Sequence, residues 1–143
     1  MHGKTVAIGC DHAGFELKTT LKGVLQERNF EILDCGTNSP DSVDYPDFGH
    51  AVAEAIEKGE ADWGVLVCGS GIGISMVANR HKGIRAALCT SPEMAEVARA
   101  HTDANVLVLG ERFIEKGTAL ACLGRFIKTP FEGGRHTARV EKI

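Results

Sequence analysis

Short apolar runs alternate along this chain with longer segments in which apolar residues recur every three or four positions. Runs of the first kind are typical of strands buried in a sheet, and the longer spacing is that of one face of a helix. The short runs predict five strands, at residues 4–10, 30–35, 65–67, 84–90 and 105–109. The longer segments predict five helices, at residues 15–25, 48–58, 72–80, 92–102 and 114–128. Ser91 is the expected cap of the fourth helix and Pro92 its first residue, where a missing N–H costs no hydrogen bond.

The order of these elements, strand then helix five times, predicts an α/β fold. Strands that are apolar throughout are typical of parallel sheets covered by helices on both faces. We therefore expect a three-layer α/β/α arrangement around a Rossmann-like, five-stranded parallel sheet. The 143 residues fit one domain, residues 1–143, in which residues 130–143 form a C-terminal tail outside the repeated pattern. In such sheets ligands bind beyond the carboxyl ends of the strands.

Composition limits the partners and the cofactors. A formal net charge of −3 argues against nucleic acid as a partner. The apolar runs are too short to span a membrane, and the N-terminus lacks a secretion signal, so we expect a cytoplasmic protein without membrane contact. The five cysteines are widely spaced, with no Cys-x-x-Cys pair, which predicts reduced thiols and no structural metal.

The segment GVLVCGSGIGISMVAN, residues 64–79, joins a buried strand to a helix through a glycine-rich turn. Backbone N–H groups at such a helix entry attract anions, and this environment favours the thiolate form of Cys68. A P-loop would need a lysine here, and the dinucleotide fingerprint would need a glycine at Ile74. A Cys-x5-Arg phosphatase would need an arginine at Ile74. The chemistry that this turn still allows is proton transfer, with Cys68 as the base beside backbone donors for an oxyanion. The alternative is that Cys68 is only a small apolar residue of the buried core.

Further polar residues follow this strand or other predicted strands, and all would lie together at the carboxyl edge of the sheet. Asp11 and His12 follow the first strand, Ser70 the third and Arg112 the fifth, while His101 enters from the far end of its helix. For each residue alone, a helix cap or a solvated surface position is the simpler interpretation. In the tail, Arg135 and Arg139 are four residues apart and would share one helix face, a spacing that suits a phosphate. A solvated terminus is the alternative there.

Together these motifs resemble those of the type B ribose-5-phosphate isomerases, in the ribose/galactose isomerase family. The resemblance extends over nearly the whole chain in order. It is carried by CDHAG at residues 10–14, DYPD at 44–47, CGSGIGIS at 68–75, NVL at 105–107 with Gly110, and GGRH at 133–136 with Arg139. It implies a sheet order of 2-1-3-5-4, a homodimer, and an active site shared between subunits; a tetramer is the alternative assembly left open. It implies no cofactor and no metal.

The resemblance also assigns roles by position. Cys68 matches the base that moves a proton between C1 and C2, and Asp11 and His101 match positions that open the furanose ring. Thr102 departs from the family, which usually has Asn there; a hydroxyl lacks the amide's separate donor and acceptor. The groups matched to the enediolate oxygens are Ser70 and the backbone N–H groups of the turn, which includes Gly69, Gly71, Gly73 and Ser75. The residues matched to the phosphate are His12, Arg112, Arg135 and Arg139, and Tyr45 matches a position that lines the pocket.

The expected activity is therefore an intramolecular oxidation and reduction, the interconversion of ribose 5-phosphate and ribulose 5-phosphate in the pentose phosphate pathway. Two alternatives remain open at this point. One is an isomerase of a six-carbon substrate such as allose or galactose 6-phosphate. The other is a sugar-phosphate-binding module without catalysis, which would not need Cys68.

Overall fold

The computed structural model describes residues 3–143, so residues 1 and 2 of the expected domain lie outside the described part. Five strands form one sheet: β1 (Thr5–Cys10), β2 (Glu31–Asp34), β3 (Trp63–Cys68), β4 (Ala86–Leu88) and β5 (Val106–Gly110). Every neighbouring pair is parallel. The strand order is β2-β1-β3-β5-β4, which confirms the expected order.

The helices form two layers, one on each face of the sheet. Their bounds are α1 (Phe15–Glu27), α2 (Tyr45–Glu57), α3 (Ile72–Ala78), α4 (Pro92–Thr102), α5 (Lys116–Lys128) and α6 (Arg135–Val140). One core cluster joins the sheet to α1, α4 and α5, and the other joins it to α2 and α3. The three-layer α/β/α prediction is confirmed. Among residues 3–143, no helix has both the length and the apolar character needed to cross a membrane.

The central strand β3 is buried along its whole length, because helices cover both of its faces. Val65 and Val67 pack in one core cluster and Leu66 packs in the other. Cys68 pairs with Gly110 at the end of β5. The carboxyl ends of these strands therefore meet at one edge, called the carboxyl edge below, and Cys68 lies on it.

Element ends differ from the predictions where local chemistry outweighs the apolar pattern. The edge strands β2 and β4 are shorter than the predicted 30–35 and 84–90. Helix α2 begins at Tyr45, three residues early, because Pro46 is well suited to a first turn. Helix α3 ends at Ala78, before the predicted 80. Residues 111–113 form a 3₁₀ turn, so α5 begins only at Lys116.

A buried ion pair holds the loop after β2 at the carboxyl edge. The Lys18 ammonium is buried and contacts both oxygens of Asp34 and the carbonyl of Thr37, and Lys22 adds a second, more exposed contact to Asp34. Burial alone would raise the pKa of Asp34. Hydrogen bonds from Lys22, the Gly36 N–H and Lys18 nevertheless hold that pKa below its ordinary value.

We expect Asp34→Asn to lower the free energy of unfolding by about 3 kcal/mol, because it leaves a buried ammonium without its counter-ion. Lys22→Ala is the matched control and should cost less than about 1 kcal/mol. The contribution of Asp34 should be present at neutral pH and be lost as the pH falls through its lowered pKa. Urea denaturation at several pH values measures both effects, and equal losses in the two variants would contradict the assignment.

Candidate active site

A cleft of about 560 Å³ opens at the carboxyl edge, beyond the ends of β1, β3 and β5. It is lined by Asp11, His12, Ala13, Tyr45, Cys68, Gly69, Ser70, Ile72, Gly73, Met76 and Arg112. Eight of these are residues that the sequence singled out. The clustering after different strands follows from the parallel sheet, which brings their ends together.

Cys68 is 4% exposed and lies at the base of the cleft, at the end of β3. Its Sγ accepts a hydrogen bond of 3.1 Å from the N–H of Gly71, and an N–H donor stabilises negative charge on sulfur. Gly71 has a φ of +77°, and a Cβ there would come within 2.5 Å of Leu88 Cδ1. Only glycine fits both constraints, so this residue directs the N–H toward the thiol.

Ser70 and Gly73 form the wall of the cleft that leads into α3. The Ser70 hydroxyl accepts a hydrogen bond of 3.1 Å from the N–H of Ile72. The Tyr45 ring lies so close to Gly73 that a Cβ there would approach it within 2.5 Å. A glycine at this position therefore lets the aromatic ring cover the backbone where α3 begins.

Asp11 and His12 directly follow β1, and each side chain accepts a hydrogen bond from a backbone N–H group. The Asp11 carboxylate accepts a hydrogen bond of 3.1 Å from Gly14, which makes it the cap of a 3₁₀ turn as well as a cleft residue. His12 Nδ1 accepts a hydrogen bond of 3.1 Å from the N–H of Val43. The proton of the neutral ring is therefore on Nε2, where it is a donor.

Arg112 is the arginine of the cleft. Its guanidinium lies over Gly69, where a Cβ would be 3.1 Å from Cζ. The backbone N–H of Arg112 donates to the Gly69 carbonyl at 3.0 Å, and this bond connects the turn after β5 to the turn that follows Cys68. The cleft thus combines a thiol, a carboxylate, an imidazole and a guanidinium within one opening.

Two residues of the predicted oxyanion turn are absent from the cleft lining. The Gly71 N–H is already used by the Cys68 sulfur. The Ser75 hydroxyl donates to the carbonyl of Ile72 at 2.7 Å, inside the first turn of α3. A serine within a helix has this carbonyl in reach. The backbone N–H of Ser75, the group expected to bind the enediolate, donates to the carbonyl of Gly71 at 3.1 Å and is therefore not available to the ligand.

The other four thiols lie outside the lining of the cleft. Burial raises the pKa of Cys10 to about 11 and that of Cys89 to about 12. Burial also raises the pKa of Cys35 and Cys122. These groups remain protonated at neutral pH and act as small apolar residues, and all five cysteines are free thiols as predicted.

His101 and Thr102 lie far from the cleft of their own chain. Helix α4 follows β4 and precedes the parallel strand β5, so it runs back toward the opposite edge of the sheet. Its eleven residues rise about 16 Å along the helix axis. The two residues end α4 and therefore lie near the amino edge, while Cys68 lies at the carboxyl edge.

The tail meets the end of α4 at this amino edge. The N–H of Glu132 donates to the carbonyl of Ala100 at 3.0 Å, and the ring of His136 stacks on that of His101. Arg135 and Arg139 both belong to α6, which confirms their predicted helical spacing. We call His101, Glu132, Arg135, His136 and Arg139 the tail cluster.

The hydroxyl of Thr102 is used within its own helix. It donates to the carbonyl of Ala98 at 2.5 Å, and the side chain lines an apolar groove beside Met94 and Val97. The residue is exposed at the end of α4. Its hydroxyl is therefore less available to a ligand than an asparagine amide would be.

Several residues near these sites escaped the sequence analysis. Ile72 and Met76 are 50% and 64% exposed and form an apolar wall of the cleft; their spacing of four on α3 was the available signal. In the sequence, His136 is marked only by its place in the GGRH motif. Its pairing with His101 depends on how the tail folds back, which the local sequence does not show.

Comparisons with known proteins match this arrangement over nearly the whole chain. A family described as Ribose/Galactose Isomerase matches residues 6–143. Ribose-5-phosphate isomerase B of Escherichia coli K12 is 44% identical over 98% of this chain and 94% of that protein. A ribose 5-phosphate isomerase structure from Thermotoga maritima has a TM-score of 0.95 and 49% identity, over 99% of this chain and 97% of that chain. The Mycoplasma genitalium enzyme, solved with bound ribulose 5-phosphate, has a TM-score of 0.93 and 41% identity, over 96% and 92%.

Proposed function

The chain belongs to the ribose/galactose isomerase family, and we propose that it interconverts ribose 5-phosphate and ribulose 5-phosphate with Cys68 as the base. It is an isomerase, an intramolecular oxidoreductase whose substrate is a sugar phosphate. The observation that supports the cysteine mechanism is the thiol at the base of the cleft with a backbone N–H directed at its sulfur. The pentose phosphate pathway fits this substrate, and a cytoplasmic location stays a prediction.

The reaction needs a base at the carbon next to a carbonyl. In the proposed scheme the Cys68 thiolate removes the C2 proton of the open-chain aldose, and the electron pair of that bond becomes the C1–C2 double bond. The charge moves to O1 and gives an enediolate. The thiol then returns its proton to C1, while the O2 proton passes to O1 as the C2 carbonyl forms. No external oxidant or reductant is needed.

The developing charge on O1 and O2 needs donors placed in advance. The Ser70 hydroxyl lines the cleft, and Gly73 lies on the cleft wall as the second residue of α3. The first N–H groups of a helix have no partner within the helix. We assign the enediolate oxygens to these two groups, rather than to the N–H groups of Gly71 and Ser75, which bond to the Cys68 sulfur and to the Gly71 carbonyl.

The phosphate lies at the other end of the substrate, away from the reacting carbons. On the cleft side, Arg112 and the Nε2–H of His12 are donors for it. Arg135 and Arg139 would have to come from another copy, since their helix lies at the opposite edge of the same sheet. Binding energy at this remote group orients the reacting carbons against Cys68.

We propose a homodimer in which the tail cluster of one protomer closes the cleft of the other. Within one chain, the cleft lies at the carboxyl edge of the sheet and the tail cluster lies at the amino edge. Two copies are therefore needed to bring the cleft residues and the tail cluster together. Exposed apolar side chains accompany the cleft: Met76 lines it, and Phe113, the residue after the cleft residue Arg112, is 71% exposed. Apolar surface beside a polar site is typical of a protein interface. A tetramer built from such dimers would leave each site unchanged.

Arg139→Ala should raise KM for ribose 5-phosphate roughly ten- to a hundredfold with little change in kcat, since a charged hydrogen bond contributes about 1.5–3 kcal/mol. Steady-state kinetics measure both constants. Lys142→Ala, which removes a positive charge beyond α6, is the matched control. An unchanged KM in Arg139→Ala would remove this residue from the phosphate site.

The experiment that tests the function is a side-by-side assay of ribose 5-phosphate, allose 6-phosphate and galactose 6-phosphate. We expect the highest kcat/KM on ribose 5-phosphate. A higher value on either six-carbon substrate would assign the chain to the alternative isomerase, and no turnover of any of the three would overturn the function.

Thr102→Asn tests the position at which this chain departs from its family. The wild-type hydroxyl is held by Ala98, whereas an amide would extend further from the end of α4. We expect the variant to remain active and to change the ratio of five-carbon to six-carbon activity by about threefold or more, about 0.6 kcal/mol or more between the two transition states. Identical ratios would place residue 102 outside the assembled site.

A further inference from the structure

Two imidazoles in the tail cluster lie face to face. The ring centroids of His101 and His136 are 4.3 Å apart and their planes differ by 12°. His136 is 7% exposed, and its Nε2 has no hydrogen-bond partner among residues 3–143. The His101 side chain is 40% exposed. One ring is thus enclosed by the protein, and the other is presented outward on it.

The carboxylate of Glu132 approaches both rings. Its Oε1 lies 3.5 Å from Nε2 of His136 and 3.9 Å from Nε2 of His101. These are ion-pair distances, longer than a hydrogen bond. The bond from the Glu132 N–H to Ala100 fixes the start of this segment against α4. The turn at Gly133 and Gly134, both with positive φ, then brings His136 back against His101.

The surrounding charges decide which ring holds a proton. Burial lowers the pKa of His136, the positive charges of Arg135, His101 and Arg139 lower it further, and Glu132 alone opposes them. On α4, Arg99 pairs with Asp103 at 2.9 Å, so its charge is compensated by a carboxylate. Two protonated rings in this stack would also repel each other, so the surroundings disfavour a proton on the enclosed His136 ring.

We propose that His136 and Glu132 are positioning residues for His101: the buried ring fixes the orientation of the exposed one, and the carboxylate retains a proton on it. The inference rests on the proposed function, in which His101 serves the partner's cleft. There it gives its proton to the furanose ring oxygen as the C1–O bond breaks. Asp11 takes the proton of the C1 hydroxyl, and the aldehyde forms.

Metal binding is an alternative role for His101, Glu132 and His136, because their possible ligand atoms lie within 4.8 Å of one another. Lone pairs on Nε2 lie in the planes of their rings, and two nearly parallel planes do not meet at one ion. Arg135 and Arg139 would also repel a dication. The geometry therefore favours proton handling.

The test compares His136→Phe, His136→Ala and Glu132→Gln on two substrates. Ribose 5-phosphate must be opened before isomerisation, whereas 4-deoxyribose 5-phosphate has no C4 hydroxyl and stays open. We expect His136→Ala to lower kcat on ribose 5-phosphate about tenfold, with KM within about threefold and the open-chain analogue unaffected. His136→Phe keeps a flat ring and should restore most of that loss.

Glu132→Gln keeps the exposed shape and removes the charge, so it remains informative if the His136 variants fold poorly. It should lower kcat on ribose 5-phosphate, leave the open-chain analogue unaffected and alter the pH profile of kcat on ribose 5-phosphate. An unchanged kcat and pH profile in Glu132→Gln would overturn the role of the carboxylate. Equal losses in His136→Phe and His136→Ala, or none in either, would overturn the role of the ring.

His101→Asn separates this inference from the proposed function. If that variant loses activity only on ribose 5-phosphate while the Glu132 and His136 variants behave as wild type, the ring-opening role stands and the positioning inference fails. If His101→Asn retains full activity on both substrates, the ring-opening role itself fails. Loss of activity on treatment with EDTA, restored by Zn²⁺, would show a metal site and overturn the inference.

Discussion

Cys68→Ala should lose a factor of about 10²–10⁴ in kcat, equivalent to about 3–5 kcal/mol of transition-state stabilisation, with KM changed by less than about threefold. The variant removes the proposed base and leaves Arg112 and the other cleft residues in place, so binding should persist. Cys68→Ser keeps the size of the side chain and should be nearly as inactive, because a serine hydroxyl is a far weaker base than a thiolate. Steady-state kinetics on ribose 5-phosphate in both directions measure these effects.

Cys35→Ser is the matched control, since Cys35 is half-buried and lies outside the lining of the cleft. It should keep wild-type kcat. A loss in Cys35→Ser as large as that in Cys68→Ser would attribute the effect to packing instead of proton transfer.

Exchange of the substrate proton with solvent distinguishes a Cys68 that acts as the base from a Cys68 that only binds the substrate. In deuterated water the wild type should incorporate solvent deuterium into the sugar during turnover, because the proton taken by the thiol can exchange before it is returned. Cys68→Ala should not catalyse this exchange, and the wild type should form no covalent adduct detectable by mass spectrometry. Exchange catalysed by Cys68→Ala would mean that another residue is the base.

The three central strands could be predicted because the sequence features that mark them are local. The strands β1, β3 and β5 are apolar throughout, and each carries chemistry on the residues that follow it, such as Asp11 and Arg112. The ends of β2 and β4 could not be placed, since edge strands have one neighbour and their last residues lack the burial that marks a central strand. Ser91, by contrast, was predicted correctly as a cap, because its role depends only on the next three residues.

The cleft was predictable and the tail cluster was not, for a physical reason. Cleft residues follow strands, so the parallel sheet alone brings them together. The contact of His136 with His101 depends on how the tail folds back onto α4, where the Glu132 N–H bonds to the Ala100 carbonyl between segments about 30 residues apart, and no periodic pattern encodes it. Ser75 shows the converse: its place in the motif is evident from the sequence, but its N–H bonds to the carbonyl of Gly71 instead of facing the cleft.

A shared site predicts that two inactive variants can restore each other. A heterodimer of Cys68→Ala with His101→Asn contains one site in which both defects meet and one site in which Cys68 and His101 are both intact. Purified through two different tags, it should show about half of the wild-type kcat per dimer, although each parent homodimer is nearly inactive.

The reciprocal pairing is the control. When the double variant Cys68→Ala/His101→Asn is paired with wild type, each site of the heterodimer carries one defect, and activity should be close to zero. Sites contained within single chains would give the opposite pattern, with about half activity from this pairing and none from the first. The two heterodimers carry the same substitutions, so differences in folding or expression cannot produce the expected contrast. It follows only from the position of His101 at the amino edge and Cys68 at the carboxyl edge of the same sheet.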